Sequence, residues 1–208
     1  METELIKGEN KLLISFGGIA NKPGMPVSEF NNTLRGVSIN KIFLVDKDQL
    51  WYNSENNLLE NLIDLINKYG SKYVMFYGNS MGGYAALKLG CVLAVNRVVA
   101  FSPQTFISKE LRNKYNDNRW SDKIDYITRK FENEPFFDIK ELMKYLSFHS
   151  NKSVFDIYYC KNERLDRIHA ERMNDYCNLY DYSDCDHGLV KRLRDNGSLK
   201  SILLKDLM

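Results

Sequence analysis

The eight residues Tyr77-Gly78-Asn79-Ser80-Met81-Gly82-Gly83-Tyr84 constrain the fold of this chain more than any other stretch. A β-type run, Val74-Met75-Phe76, precedes them, and a helix-type run, Ala85-Ala86-Leu87, follows. G-x-S-x-G in that frame reads as a nucleophile elbow, a sharp strand-to-helix turn that lifts a serine above a sheet edge. The turn strains the serine backbone, and it brings Gly78 and Gly82 so close to neighbouring elements that side chains there would clash. The following helix turns its free N–H groups and partial positive charge toward the serine, where an oxyanion would develop. Without that frame the same five residues would be an ordinary glycine turn.

An elbow of this kind needs a parallel sheet, and the rest of the chain supplies one. Continuous apolar runs rich in β-branched and aromatic residues cover Leu12 to Phe16, Lys41 to Val45, Tyr73 to Tyr77, Arg97 to Phe101 and Val154 to Tyr159, with a weaker one at Leu179 to Tyr182. Unbroken hydrophobicity marks strands covered on both faces. Helical spacing falls between them. Leu58, Leu59, Leu62, Ile63 and Ile66 precede a stop at Gly70, and Ala85 to Leu89 end near Gly90. Ile168 to Cys177 and Gly188 to Arg194 are expected as the next two helices. This alternation predicts an α/β, mainly parallel, doubly wound sheet with right-handed crossovers. The stretch 105–151 breaks the rhythm with many charges and with Trp120, Phe131, Phe136 and Phe137. It is expected as a helical insertion, either a small lid or a cover for the sheet.

At 208 residues the chain suits a single domain, 1–208, that can bury a core without disulfides. Its 29 basic and 27 acidic residues are mixed along the chain and give a formal charge of +2. That balance gives no reason to expect nucleic acid or an anionic membrane as partner. Lys191, Arg192 and Arg194 have acidic neighbours and read as a solvated helix face. The four cysteines form no C-x-x-C pair and no metal spacing, and Cys91 and Cys160 sit among apolar residues as reduced core thiols. The acidic start Met1-Glu2-Thr3-Glu4 is not a signal run, and no stretch approaches the roughly 20 apolar residues of a membrane span. A cytoplasmic protein without metal or bound cofactor is expected.

Ser80 needs a base. The histidines are His149, His169 and His187. On elbow-bearing sheets the chain order is serine, acid, histidine, with the histidine on a loop after the last strand. His187, between Asp186 and Gly188, fits that place. His169 reads as a surface helix residue, and His149 belongs to the insertion. The acid should follow the preceding strand, where a carboxylate accepts the imidazole Nδ1–H. Asp166 is the choice, with a helix cap as its alternative role and Glu163 in reserve. Asp156 lies within the strand and points elsewhere. For the oxyanion hole, the Met81 N–H should be joined by a donor from Ser15-Phe16-Gly17-Gly18-Ile19, at Gly18 or beside it at Ile19.

With these residues in place the sequence resembles the α/β-hydrolase superfamily over nearly its whole length. More narrowly it resembles small bacterial proteins of capsule and surface-polysaccharide synthesis, some of them sugar O-acetyltransferases. The matching pieces are Phe16-Gly17-Gly18, Asp46 with Trp51-Tyr52, the elbow, Phe101-Ser102-Pro103-Gln104, Asp166 and Asp186-His187. The resemblance implies a Ser80–Asp166–His187 triad, a small-molecule or glycan substrate, and acetyl-CoA as a candidate acyl donor. Trp51 and Tyr52, and with them Gln104, are candidate substrate contacts. The two rings would either stack on a sugar or pack in the core. The loop Asn21-Lys22-Pro23-Gly24-Met25-Pro26 and the insertion match no pattern of the group. Acyl transfer, ester or thioester hydrolysis, and a non-catalytic assembly role are the competing functions.

Overall fold

The computed structural model describes residues 2–8, 11–19, 28–53, 57–69, 72–131, 137–147 and 153–205. His149, Phe136, Gly70 and the Asn21 to Pro26 loop lie outside the described residues. Seven strands form one sheet: β1 (Glu2–Ile6), β2 (Lys11–Phe16), β3 (Asn40–Val45), β4 (Tyr73–Asn79), β5 (Arg97–Phe101), β6 (Val154–Cys160) and β7 (Asn178–Tyr182). Their spatial order is β1-β3-β2-β4-β5-β6-β7, and every pair is parallel except β1 with β3. The antiparallel β1 was not expected from the sequence. Its residues Glu2-Thr3-Glu4 look like a solvated terminus, and only the pairing with β3 makes them a strand. From β2 the chain winds one way to β3 and the other way to β4. The carboxyl ends of β2 and β4 therefore flank a topological switch point, where open α/β sheets bind ligands.

Period-two alternation sends side chains to two cores. Leu12, Ile14 and Phe16 of β2 join the cluster containing α1 (Leu58–Tyr69) and α2 (Met81–Val92). Leu13 joins Met75 and Tyr77 in the cluster against α7 (Leu189–Asp195) and α8 (Ser198–Leu204). α2 is apolar on nearly every side because it is buried on nearly every side, with Tyr84, Ala85, Ala86, Leu87 and Leu89 all in the interior.

Between β5 and β6 stand α3 (Lys109–Tyr115), α4 (Ser121–Lys130) and α5 (Ile139–Ser147), as the insertion predicts. Their apolar residues Ile124, Ile127, Leu142 and Met143 belong to the α1/α2 core. α6 (Arg164–Glu171) starts four residues earlier than its apolar pattern suggests. No helix of the described residues is long and apolar enough to cross a membrane.

Cys160 and Cys185 form a disulfide, which corrects the expectation of a reduced Cys160. Cys160 ends β6 opposite Tyr182, and Cys185 follows three residues after that partner. Strand pairing, invisible in the Cys spacing, brings their Cα atoms to 5.6 Å. Cys91 and Cys177 are buried thiols outside that disulfide.

Candidate active site

Ser80 sits between β4 and α2 with φ 52° and ψ −115°, the strained backbone an elbow imposes on a residue that carries a side chain. Its N–H is tied to the Phe101 carbonyl at 2.9 Å. A Cβ on Gly78 would collide with the Gly82 carbonyl, and one on Gly82 with the Phe16 carbonyl. Both glycines are thus required by close approach, as the pattern predicts.

The three expected triad residues come together. His187 Nε2 lies 2.9 Å from Ser80 Oγ, and its Nδ1 lies 2.8 and 3.0 Å from the two Asp166 oxygens. Asp166, 1% exposed, lies in the first turn of α6. It is not the cap: Glu163 holds that position and makes no side-chain cap bond. Asp156 is indeed turned away, accepting from Arg97 and Asn178.

Arg119 was not anticipated. Its guanidinium donates to Asp166 at 3.1 Å and grips Asp117 through Nε and Nη2 at 3.0 and 2.9 Å. Asp117 in turn contacts His169 Nε2 at 2.9 Å. Burial works against both charges, yet the pairing wins: Asp117 is held below the usual carboxylate range and Arg119 above its ordinary value.

His169 is fully buried and stacked on Phe106 at 4.0 Å, which corrects its reading as a surface residue. Burial drives it down to about 4, against the pull of Asp117. The Thr105 N–H donates to its Nδ1 at 2.9 Å, so Nδ1 is the bare nitrogen and Nε2–H faces Asp117. On α6, Asp166, His169 and Ala170 form a buried stripe at i, i+3 and i+4.

The Met81 N–H begins α2, where the helix terminus leaves it free to donate. Gly18 is already engaged. Its N–H and the Asn79 side chain hydrogen-bond to the Glu29 carboxylate, whose pKa burial nevertheless raises. The other donor expected from this loop is Ile19, beside it. Tyr52 and Gln49 fix that loop. The single Tyr52 hydroxyl proton is shared between the Gly17 and Leu44 carbonyls, 3.0 and 2.9 Å from Oη, and Gln49 Nε2 donates to the Ile19 carbonyl at 2.7 Å.

Trp51 and Tyr52 are core residues, 1% and 6% exposed, and offer no open face for a sugar to stack on. The Trp51 indole N–H donates to Gln104 Oε1 at 3.2 Å, and Gln104 Nε2 donates to Ser80 Oγ at 3.2 Å. Beside His187 a cleft of about 1110 Å³ is lined by Asn162, Glu163, Asp186, Lys191 and Asn196 among others.

No family model and no curated protein sequence matches the chain. Solved structures do. The capsule O-acetyltransferase of Neisseria meningitidis serogroup A superimposes with a TM-score of 0.74 at 16% identity, covering 97% of this chain and 90% of that one. FphF, a fluorophosphonate-binding serine hydrolase of Staphylococcus aureus, gives 0.65 at 14% identity, covering 97% and 86%. Mycobacterium tuberculosis MPT51 gives 0.66 at 15% identity, covering 99% and 93%. A mutant of the capsule O-acetyltransferase, solved in complex with CoA, gives 0.66 at 14% identity. Together with the sheet order these likenesses show the α/β-hydrolase fold.

Proposed function

We propose that this chain of α/β-hydrolase fold is a serine acyltransferase that O-acetylates a bacterial surface polysaccharide or its sugar precursor. The observation that carries the acyl chemistry is the unbroken hydrogen-bond chain from Ser80 Oγ through His187 to Asp166. Attack by Ser80 passes its proton to His187 Nε2, and Asp166 holds the imidazole and steadies its charge. The leaving group, a thiol if the donor is acetyl-CoA, takes that proton away. A sugar hydroxyl then repeats the cycle in reverse on the acyl-serine. The developing oxyanion would lie between the N–H groups of Met81 and Ile19.

The choice of acceptor rests on likeness to the capsule enzyme, one form of which binds CoA. Hydrolysis of a small ester by the same residues is the second reading, favoured by the likeness to the staphylococcal hydrolase. A non-catalytic scaffold would have no need of an assembled triad. The chain reads as one domain, with 105–151 an insertion whose described part covers the sheet and reaches Asp166 through Arg119. The Cys160–Cys185 disulfide weighs against the cytoplasmic expectation, since such bonds persist in oxidising compartments.

The test is intact-mass measurement after incubation with acetyl-CoA or p-nitrophenyl acetate, with and without candidate glycans. Wild type should gain one acetyl group and Ser80→Ala none. A glycan that hastens loss of the adduct and gains its mass establishes transfer, whereas loss to water alone establishes hydrolysis. An acetylated Ser80→Ala protein would refute the assignment.

A further inference from the structure

The motif pieces Asp46, Trp51-Tyr52 and Phe101-to-Gln104 stand far apart in sequence, and the structure joins them at the nucleophile. Asp46 organises a turn, its carboxylate accepting the N–H groups of Asp48, Leu50 and Tyr52 at 3.1, 2.7 and 2.8 Å. Trp51 and Tyr52 both take left-handed backbone there, φ 54° and 59°, as does Ser102 at 40° two residues before Gln104. Side-chain-bearing residues adopt that conformation at a cost, and such costs gather at functional sites. What the turn achieves is to aim the Trp51 indole at Gln104, with both side chains buried.

An indole N–H can only donate, so the Gln104 atom facing Trp51 must be the carbonyl oxygen. The amide –NH2 is then forced to face Ser80 Oγ. Ser80 Oγ accordingly donates to His187 on one side and accepts from Gln104 on the other. Among the described residues, no other side-chain amide holds an N–H donor against the nucleophilic oxygen.

We propose that Gln104 is a catalytic residue, the donor that stabilises negative charge on Ser80 Oγ, and that Trp51 is the positioning residue that fixes its amide. The proposal deepens the serine-nucleophile reading and rests on it. In the first half-reaction the Oγ–H bond breaks toward His187 Nε2 while the Oγ–acyl carbon bond forms, and Gln104 bonds Oγ most strongly as its charge builds. The bond from the acyl carbon to the leaving group then breaks, and the leaving group departs with the proton from His187. In the second half-reaction the acceptor hydroxyl gives its proton to His187 and attacks the acyl carbon. The Oγ–acyl bond then breaks, and Oγ leaves held by the Gln104 N–H until His187 returns a proton to it. A hydrogen bond to an anionic oxygen is stronger than one to a neutral hydroxyl, so the interaction favours the transition state over the resting enzyme.

The experiment measures the rate at which Ser80 is phosphonylated by a fluorophosphonate probe and acetylated in the burst with p-nitrophenyl acetate. Gln104→Met, which keeps the shape without donor or acceptor, should slow both about tenfold to a hundredfold. Gln104→Glu should be slower still, because it sets a negative charge beside the developing one. Trp51→Phe should slow labelling about tenfold in the wild-type background and not at all in Gln104→Met, since Trp51 acts only through Gln104. Thermal melting accompanies every variant, and should Trp51→Phe not fold, the Met/Glu pair decides. Wild-type rates in Gln104→Met, or an equal loss from Trp51→Phe in both backgrounds, overturn the proposal and leave the serine reading intact. A wild-type protein that is not labelled, or a Ser80→Ala protein that is, overturns both.

Discussion

Arg119 and His187 share one oxygen: Oδ1 of Asp166 lies 3.1 Å from the Arg119 guanidinium and 2.8 Å from His187 Nδ1. The carboxylate of the triad is therefore held from two sides, by the base it orients and by a cation from the inserted segment. Removing the cation leaves a buried charge with one partner fewer and frees it to rotate. Arg119→Met should lower turnover about tenfold to a hundredfold, the range expected when a catalytic group shifts by about 1 Å. Arg119→Lys should recover part of the loss, because it keeps the charge and loses the fork that grips Asp117. Steady-state kinetics on variants with native near-ultraviolet circular dichroism decide it. Unchanged turnover in Arg119→Met would reduce the contact to packing.

The acid itself is tested by a pair of amides. Asp166→Asn should preserve the fold but offer His187 an N–H where it needs an acceptor, costing on the order of 10² to 10⁴ in turnover. Glu163→Gln should cost less than about tenfold, as a residue at the start of α6 whose neighbour Asp166 already holds both oxygens against His187. Helix content measured alongside separates chemistry from unfolding. A folded, active Asp166→Asn protein beside a crippled Glu163→Gln protein would move the acid to Glu163.

How much of this was legible in the sequence depends on range. The elbow could be read because strand, glycine turn and helix are contiguous, and His187 and Asp166 because each follows a strand end. Contacts made across the fold carried no such mark. His169 looked exposed because its helix neighbours Arg164, Arg167 and Glu171 are, while its partners Thr105 and Asp117 lie 64 and 52 residues away. By residue type Trp51 and Tyr52 could be a sugar platform or core packing, and the structure decides for the core, where Gly17, Leu44 and Gln104 take their polar atoms. Glu29 occupied the Gly18 amide unannounced, because a lone carboxylate at the edge of an unpatterned loop has no signature.

His169 predicts a pH dependence of stability. Its folded pKa of about 4 lies below the 6.5 of an exposed imidazole, so between those values the unfolded chain binds a proton that the folded protein refuses. The sign follows: the contribution is complete above about 6.5 and is lost as pH falls toward 4, on the order of 3 kcal/mol in all. Asp117, held low, gives way only below that window. Urea melts at pH 7, 6, 5 and 4.5 should show the wild type losing stability while His169→Gln, which cannot titrate, loses much less. Parallel curves for the two proteins would contradict the buried neutral imidazole.

The Cys160–Cys185 disulfide ties the end of β6 to a residue only two positions before His187, and so bears on both stability and activity. It closes a loop of 25 residues, inside which Asp166 and the whole of α6 lie. Closing a loop of that length stabilises by roughly 3 to 4 kcal/mol, mainly by restricting the unfolded chain. For a domain of this size, that corresponds to a melting point lower by about 6–16 °C on reduction or in Cys185→Ser. Turnover should fall as well, because the loop carrying His187 loses its anchor to β6 while Asp166 stays fixed by Arg119 and the core. Thiol titration of the denatured, unreduced protein should find two groups, Cys91 and Cys177, and four after reduction. Four reactive thiols without reductant, together with a melting point indifferent to dithiothreitol, would refute the bond and restore the case for a reducing compartment.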